Sequence, residues 1–423
     1  MTPATRLYPK VALFAAVLAS AGIPLYIHLP SFAASALGID LATLGGVLIT
    51  IRLIDLIQDP ALGWLVDRYA PQRLRLSQIG LAGLALGFLM LFVLPAPIAP
   101  LPWLMAALIV VFTSYSLLHI LFYGQGVTLA GGSQPDAHLK LAGWREAGLL
   151  GGVLIAASAP QILITLGRDA PYREFGLLLV ALIALAALST RALWVGPADH
   201  PVTRRKLNLR QLWAPAPMWL LLIGLINALP VALSSTLFVF FVEDRLQLPN
   251  LTGPFLLLFF LSAGLAAPFW AKAAKRWGAR QVLVPAMTLA IFSFGWAAVL
   301  EPGSAWGFTI VCLASGAALA ADMVILPALF AASLARFDLP EGIGFGLWSF
   351  AAKVALALAA AVALPALQAA GYSPAAQNGT EALNALGLAY AVVPSLLKLI
   401  AIFLLLATPR QMLYPENLQS ART

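Results

Sequence analysis

Twelve mostly apolar stretches, six on either side of a polar segment, decide what this chain can fold into. They run at about 9–35, 41–66, 77–95, 102–130, 140–165 and 174–196, then at about 213–242, 252–273, 281–300, 305–334, 343–370 and 383–408. Each meets the roughly 20 residues that a helix needs to cross about 30 Å of hydrocarbon. Of the 423 residues, 61% are hydrophobic and 10% charged, where a soluble chain is nearer one quarter charged. In lipid, backbone N–H and C=O groups have to be satisfied within the spanning segment, so the spans are read as helices. The sequence thus predicts an all-α membrane protein of twelve transmembrane helices. Residues 1–198 form one six-helix half, 199–211 a cytoplasmic linker, and 212–423 the other half. The first apolar run continues well beyond a signal-peptide core without a convincing small-residue cleavage site, and is read as a retained span.

The net charge of +8 is a topology signal. Arg68, Arg73 and Arg75 follow the second span; Arg204, Arg205, Lys206 and Arg210 fill the linker; Lys272, Lys275, Arg276 and Arg280 follow the eighth span. The alternate connections are acidic or nearly neutral: Asp40, Arg168 with Asp169, Arg173 with Glu174, Glu243 and Asp244 with Arg245, Glu301, and Glu381. Positive loops stay on the cytoplasmic side, which puts both termini there and places the chain, multi-pass, in the inner membrane of a bacterium. No basic run interleaves with aromatics in a soluble module, so nucleic acid is not expected as a partner. Cys312, the single cysteine, is read as a small core residue.

The two halves echo each other. Pro60-Ala-Leu-Gly-Trp-Leu-Val-Asp67-Arg68 and Pro268-Phe-Trp-Ala-Lys-Ala-Ala-Lys275-Arg276 each leave a span through proline into a basic loop, at an offset near half the chain. With six spans on each side, this supports the parallel-repeat plan of major facilitator transporters. Gly63, Asp67, Arg68 and Arg73 resemble that superfamily's loop motif, in which the glycine permits close helix packing and the charges engage neighbouring helix ends. A structural and a gating role are both open to these four.

Charges inside lipid cost a few kcal/mol or more and have to face a partner or a wet cavity. The densest set is Arg52-Leu-Ile-Asp55-Leu-Ile-Gln-Asp59-Pro60 in span two. Positions 52, 55 and 59 share one helix face. Two carboxylates four residues apart can share a proton or clasp a cation, and an arginine beside them keeps at least one ionised. The competing reading is a salt-bridged helix contact of Arg52 with Asp55; a second carboxylate inside the same apolar helix favours function.

Further candidates lie on other spans. His119 is either a proton relay or a hydrogen-bonded core histidine. Arg145 in span five and Lys353 in span eleven are expected to meet at a central substrate cavity; an ion pair of Lys353 with a carboxylate of the other half is the alternative. Asp322 in span ten and Glu146 stay unassigned, Glu146 pointing about 100 degrees from Arg145. Lys398, about ten residues from the end of its span, is able to snorkel to the membrane surface and is therefore left out of the candidate set. Tyr26, Tyr115, Tyr123 and Trp348 lie on spans with central polar groups and are candidates for stacking on substrate, or else packing residues. Asn227 and Gln125 are weaker candidates. No Walker loop, nucleophile–base pair or metal-ligand spacing is found, so no enzyme activity, no resident metal and no cofactor are expected. The Gly148-Leu-Leu-Gly-Gly stretch is read as close helix packing.

The sequence resembles the glycoside–pentoside–hexuronide:cation symporters, the melibiose permease family of the major facilitator superfamily. The resemblance rests on Arg52-Leu-Ile-Asp55-Leu-Ile-Gln-Asp59-Pro60-Ala-Leu-Gly63-Trp64, extends back through Tyr26, Gly38 and Gly45, and is supported by Tyr115 to Tyr123, Arg145 and Gly342-Ile-Gly-Phe-Gly-Leu-Trp348-Ser349-Phe-Ala-Ala-Lys353. It implies a major facilitator fold of two pseudo-symmetric halves, with Asp55 and Asp59 as cation-site carboxylates and Asp59 the one tied to proton coupling. Arg145, Lys353, Tyr26, Tyr123 and Trp348 then fall near a sugar site. The sequence departs from the pattern where the span-one acid is Ala19 and the span-four carboxylate is His119. The acidic pattern after span ten is replaced by Ala331-Ala-Ser333-Leu-Ala-Arg336. Losing carboxylates weakens a sodium site, which needs several hard oxygen ligands, and favours protons.

The expectation is a monomeric secondary transporter that moves a sugar or related polar or amphipathic solute by alternating access, coupled to H⁺, with Na⁺ as the lesser alternative. Efflux or lysolipid transport on the same fold, or an uncoupled uniporter or sensor, are the other readings.

Overall fold

In the computed structural model, residues 7–22, 29, 32–33, 37–39, 41–130, 135–194, 215–373 and 378–409 are described, apart from a few helix side chains, among them Arg52. The regular elements among them are all helices, with no strand. In chain order the helices are α1 (Tyr8–Gly22), α2 (Leu41–Arg68), α3 (Arg73–Phe88, continued by a π-helical turn Leu89–Val93), α4 (Pro100–Ala130), α5 (Pro135–Thr165) and α6 (Pro171–Ser189). The second set is α7 (Pro215–Phe240, with a π-helical end Phe241–Arg245), α8 (Thr252–Trp277), α9 (Ala279–Ala298), α10 (Ala305–Arg336), α11 (Glu341–Ala369) and α12 (Thr380–Gly387 and Val393–Ala407, joined by the π-helical Leu388–Val392). Ten of these twelve are long and apolar enough to cross a membrane; α1 is a shorter apolar helix, and α2 carries the charged motif. The expected twelve-helix architecture is present.

Local chemistry explains the boundaries. Helices α4 to α7 each begin on a proline, whose fixed φ suits a first turn that leaves N–H groups unused. Gly278, at φ +93°, ends α8 and lets α9 start at the next residue; a side chain would be strained there. Seven helices contain an internal proline, Pro60 and Pro268 of the repeat among them, a feature that spanning helices tolerate.

Exposure is inverted relative to a soluble protein. Ile57 is 77% exposed, while Asp55 and Asp59 on the same helix are 2% and 0% exposed. Phe292, Trp306 and Phe403 also face outward, whereas Arg145, Glu146, Asp322 and Lys398 are buried. Only a lipid surround makes that arrangement favourable.

The chain divides into two compact units. The first holds residues 1–132, 144–208 and 338–350; the second holds 133–143, 209–337 and 351–423. The first turns of α11 therefore go with the N-terminal helices. In the first unit, Gly148 and Gly152 lie one turn apart against the backbone of Ala12 and Ala16: a Cβ at either would come within 2.1 Å of a carbonyl oxygen of α1. Close backbone approach is what the glycines of this stretch provide. In the second unit an aromatic cluster of Phe238, Phe241, Phe255, Phe308 and Tyr390 joins α7, α8, α10 and α12, with Phe241 and Tyr390 stacked at 4.0 Å.

Candidate functional site

The charged motif on α2 is the centre of the first unit's polar interior. Asp55 accepts hydrogen bonds at Oδ1 from Gln58 Nε2 (2.7 Å) and from Ser116 Oγ of α4 (2.9 Å). Gln58 Oε1 in turn accepts from Thr113 Oγ1 at 2.9 Å. One turn along, Asp59 Oδ2 accepts from Ser349 Oγ of α11 at 2.5 Å. The two carboxylates thus sit at the junction of α2 with α4 and with the start of α11. Among the described residues, no group of three or more His, Cys, Asp or Glu side chains could hold a metal ion. The side chain of Arg52, and Tyr26 as a whole, lie outside the described residues.

α11 reaches α2 because small residues meet there. A Cβ on Gly63 would come within 2.5 Å of the Gly342 carbonyl, and one on Gly346 within 2.9 Å of the Asp59 carbonyl. That contact also builds the loop motif. Asp67, just past the span, accepts the backbone N–H groups of Gly342 (2.8 Å) and Ile343 (2.6 Å) at the positive N-terminus of α11. Burial pushes the Asp67 carboxyl up to about 6, against the lowering pull of those two N–H groups and of Arg73. Arg73 donates from Nη2 to Glu341 (2.5 Å) and from Nη1 to Gln125 (2.9 Å) and Thr128 (2.7 Å). Gln125 closes this network by donating to the Leu193 carbonyl. Arg68 is exposed. Three of the four motif residues therefore clamp the first turn of α11.

A second cluster lies on α4 and α5. Tyr115, His119 and Tyr123 are spaced by four, which puts them on one helix face. The His119 ring lies 5.9 Å from Tyr115 and 4.4 Å from Tyr123. The Arg145 guanidinium sits over the Tyr123 ring at 3.9 Å, and its Nε donates to Glu146 Oε1 at 3.0 Å. The structure thus gathers His119, Tyr115, Tyr123 and Arg145 in one place and gives Glu146 a partner. Phe345 of α11 packs 5.4 Å from Tyr123, near Trp348 along the same helix. Lys353, one turn past Ser349 on α11, belongs to the second unit.

Sequence reasoning missed two things. Ser116, Thr113 and Ser349 carry the hydrogen bonding around the carboxylates, and nothing but proximity in the fold marks them. In the second unit, Lys398 does not snorkel: it is 4% exposed, and its Nζ donates to Asn227 Oδ1 at 2.7 Å and to Asp322 Oδ2. A lysine near a span end reads as surface-seeking unless a buried carboxylate on another helix is known to face it.

Comparison with known proteins fits this picture. A family model described as MFS/sugar transport protein matches residues 10–410. Solved structures share the fold at low identity. A bacterial homologue of the iron transporter ferroportin, outward-facing, is 16% identical with TM-score 0.68, covering 96% of this chain and 99% of the other. A variant of the E. coli fucose:proton symporter is 14% identical with TM-score 0.69, covering 95% and 97%. The human organic anion transporter MFSD10 (TETRAN) is 18% identical with TM-score 0.64, covering 96% and 100%. No curated protein matches the sequence.

Proposed function

The chain belongs to the MFS/sugar transport protein family, a multi-pass membrane transporter and not an enzyme, and from that premise we propose that it is a proton-coupled symporter of a sugar or a related small solute. Asp55 and Asp59 are the proton acceptors. The observation that carries this is their hydrogen bonding: both are buried in an apolar helix and are met by hydroxyls, Ser116 and Ser349. A hydroxyl donates to a carboxylate and can turn to accept from a carboxylic acid. Such partners satisfy both protonation states without moving the backbone. Sodium is the weaker alternative, because two carboxylates among alcohols and an amide make a sparse set of hard charged ligands.

Protonation neutralises the charge on α2 and turns the Ser349 hydroxyl from donor to acceptor, which replaces a charge-assisted tie between α11 and that carboxylate by a weaker neutral one. Arg52 tunes the pair and His119 relays protons. The sugar class is supported by the family description and by the likeness to a fucose:proton symporter. Arg145 over Tyr123 presents a cation beside an aromatic face, which suits hydroxyls on one side of a ring and C–H groups on the other. Lys353, Tyr26, Tyr115 and Trp348 complete the proposed substrate set; in this reading a monomer spans the inner membrane of a bacterium with both termini cytoplasmic, an orientation that the basic loops support.

The test is uptake into proteoliposomes from a sugar panel, with proton and sodium gradients imposed separately. The proton gradient alone is expected to drive accumulation, and Asp59→Asn to abolish accumulation while leaving solute exchange. Full proton-driven accumulation by Asp59→Asn would overturn the assignment; accumulation driven only by sodium would reassign the ion.

A further inference from the structure

The second unit contains a buried charge cluster that lies outside the proposed coupling site. Asp322 on α10, Lys398 on α12 and Asn227 on α7 are 5%, 4% and 5% exposed. The Lys398 ammonium bridges the other two, donating to Asn227 Oδ1 and Asp322 Oδ2. Asp322 is the sole carboxylate inside a span among the described residues of this unit; Glu243, Asp244, Glu301 and Glu381 lie at span ends or in connections. Asp322 Oδ1 is buried and has no hydrogen-bond partner among the described residues.

A buried ion pair recovers its desolvation cost only when the remaining lone pairs are also satisfied. Among the described residues, one carboxylate oxygen is satisfied and the other is not. A pair that served only to tie α7, α10 and α12 together would gain by satisfying both. An acceptor kept bare in a low-dielectric interior is instead suited to a ligand that brings its own donor and needs little room. The adjacent ammonium repels a metal cation from the same carboxylate. A proton forms a covalent O–H bond at Oδ1 and fits.

We infer that Asp322, Lys398 and Asn227 form a second proton-binding site within the membrane, in which Asp322 takes up and releases a proton. On protonation an O–H bond forms at Asp322 Oδ1 as an O–H bond of hydronium breaks and leaves water, and release reverses the step. Lys398 keeps its own protons and stays held by the Asn227 carbonyl oxygen, so the ammonium is not left bare when the carboxylate charge is lost. The role of Asn227 is that of a positioning residue for Lys398.

The surroundings leave few competitors. α7, α8, α9 and α12 pack against this pair's helices. Of their titratable groups, Lys272, Lys275 and Arg276 of α8 and Arg280 of α9 lie at helix ends, as do Glu243, Asp244 and Arg245 of α7. Cys312 of α10 and Tyr390 of α12 sit in the aromatic cluster. Arg336 ends α10, Glu381 begins α12, and Lys353 is on α11.

The experiment is infrared difference spectroscopy of the full chain in phosphatidylethanolamine–phosphatidylglycerol liposomes, comparing acidic with alkaline buffer in H₂O and D₂O. A carboxylic-acid carbonyl band that shifts in D₂O is expected at low pH. Asp322→Asn should remove one carboxyl's share of that band, and the Asp55→Asn/Asp59→Asn double variant should keep that share. Failure of the coupling assignment at Asp55 and Asp59 therefore leaves this result intact, and the reverse also holds. Asp322→Glu and Lys398→Arg preserve the ion pair where Asp322→Asn fails to fold; the first should move the band to the glutamic-acid position. A band identical in the wild type, Asp322→Asn and Asp322→Glu would overturn the proposal and leave a structural ion pair.

Discussion

Ser349 of α11 donates its hydroxyl to Asp59 of α2 at 2.5 Å, across an approach that Gly346 keeps open. Hydrogen bonds to charged groups contribute about 1.5–3 kcal/mol, and a buried acceptor stripped of its partner carries the desolvation cost. Ser349→Ala should therefore destabilise by about 1–3 kcal/mol, while Ser349→Thr, which keeps the hydroxyl, should lose much less. Thermal unfolding of the detergent-solubilised protein measures both. Equal melting temperatures for wild type and Ser349→Ala would remove this bond from the account.

The glycines of α5 allow a paired test. A Cβ at Gly152 would meet the Ala16 carbonyl oxygen at 2.1 Å, and Gly151, its neighbour, has open space. Overpacking costs about 1–3 kcal/mol and more where backbone has to move. Gly152→Ala is expected to lower the melting temperature clearly. Gly151→Ala should leave it unchanged or raise it, because alanine favours helix over glycine.

How far the sequence could be read follows from what each residue type ordinarily does. One carboxylate in an apolar run has a bland explanation, a salt-bridged helix contact, but two of them four residues apart exceed it, so Asp55 and Asp59 stand out in the sequence. The helix count and the family plan also followed from hydropathy and the span-two motif. Ser349 and Ser116 did not stand out, because a membrane serine commonly bonds its own helix, as Ser293 does to the Leu289 carbonyl. Lys398 is left out on sequence grounds because snorkelling depends on distance to the membrane surface, which the sequence shows, while ion pairing depends on which helix faces it, which the sequence does not show. Tertiary packing of α12 against α7 places Asn227 before it.

Arg73 holds three partners in a fork, and a lysine cannot reproduce that geometry. Arg73→Lys is expected to keep the charge near Glu341 and lose at least one of the bonds to Gln125 and Thr128. Transport should fall in Arg73→Lys and fall further in Arg73→Ala, which leaves Glu341 without its cation. Glu341→Gln combined with Arg73→Ala should recover stability relative to Arg73→Ala alone, because the stranded charge is gone. Strict additivity in that double-mutant cycle would deny the coupling.

Asp67 gives a pH dependence whose sign can be worked out. Its carboxyl is pushed from 3.8 to about 6 in the folded protein, chiefly by burial. A raised carboxyl pKa means that the folded state binds the proton more tightly than the unfolded state between those values. Stability is then greatest below about pH 4 and is lost as pH rises through about 6. The two N–H groups of α11 offset only part of the cost of burying the charge. Other groups add their own slopes, so the comparison that isolates this one is with Asp67→Asn. The difference in melting temperature, wild type minus variant, should decline from pH 4 to pH 6 and level off above, while the variant lacks that component. A difference that stays flat across this range would show that Asp67 keeps an ordinary carboxyl against the N-terminus of α11.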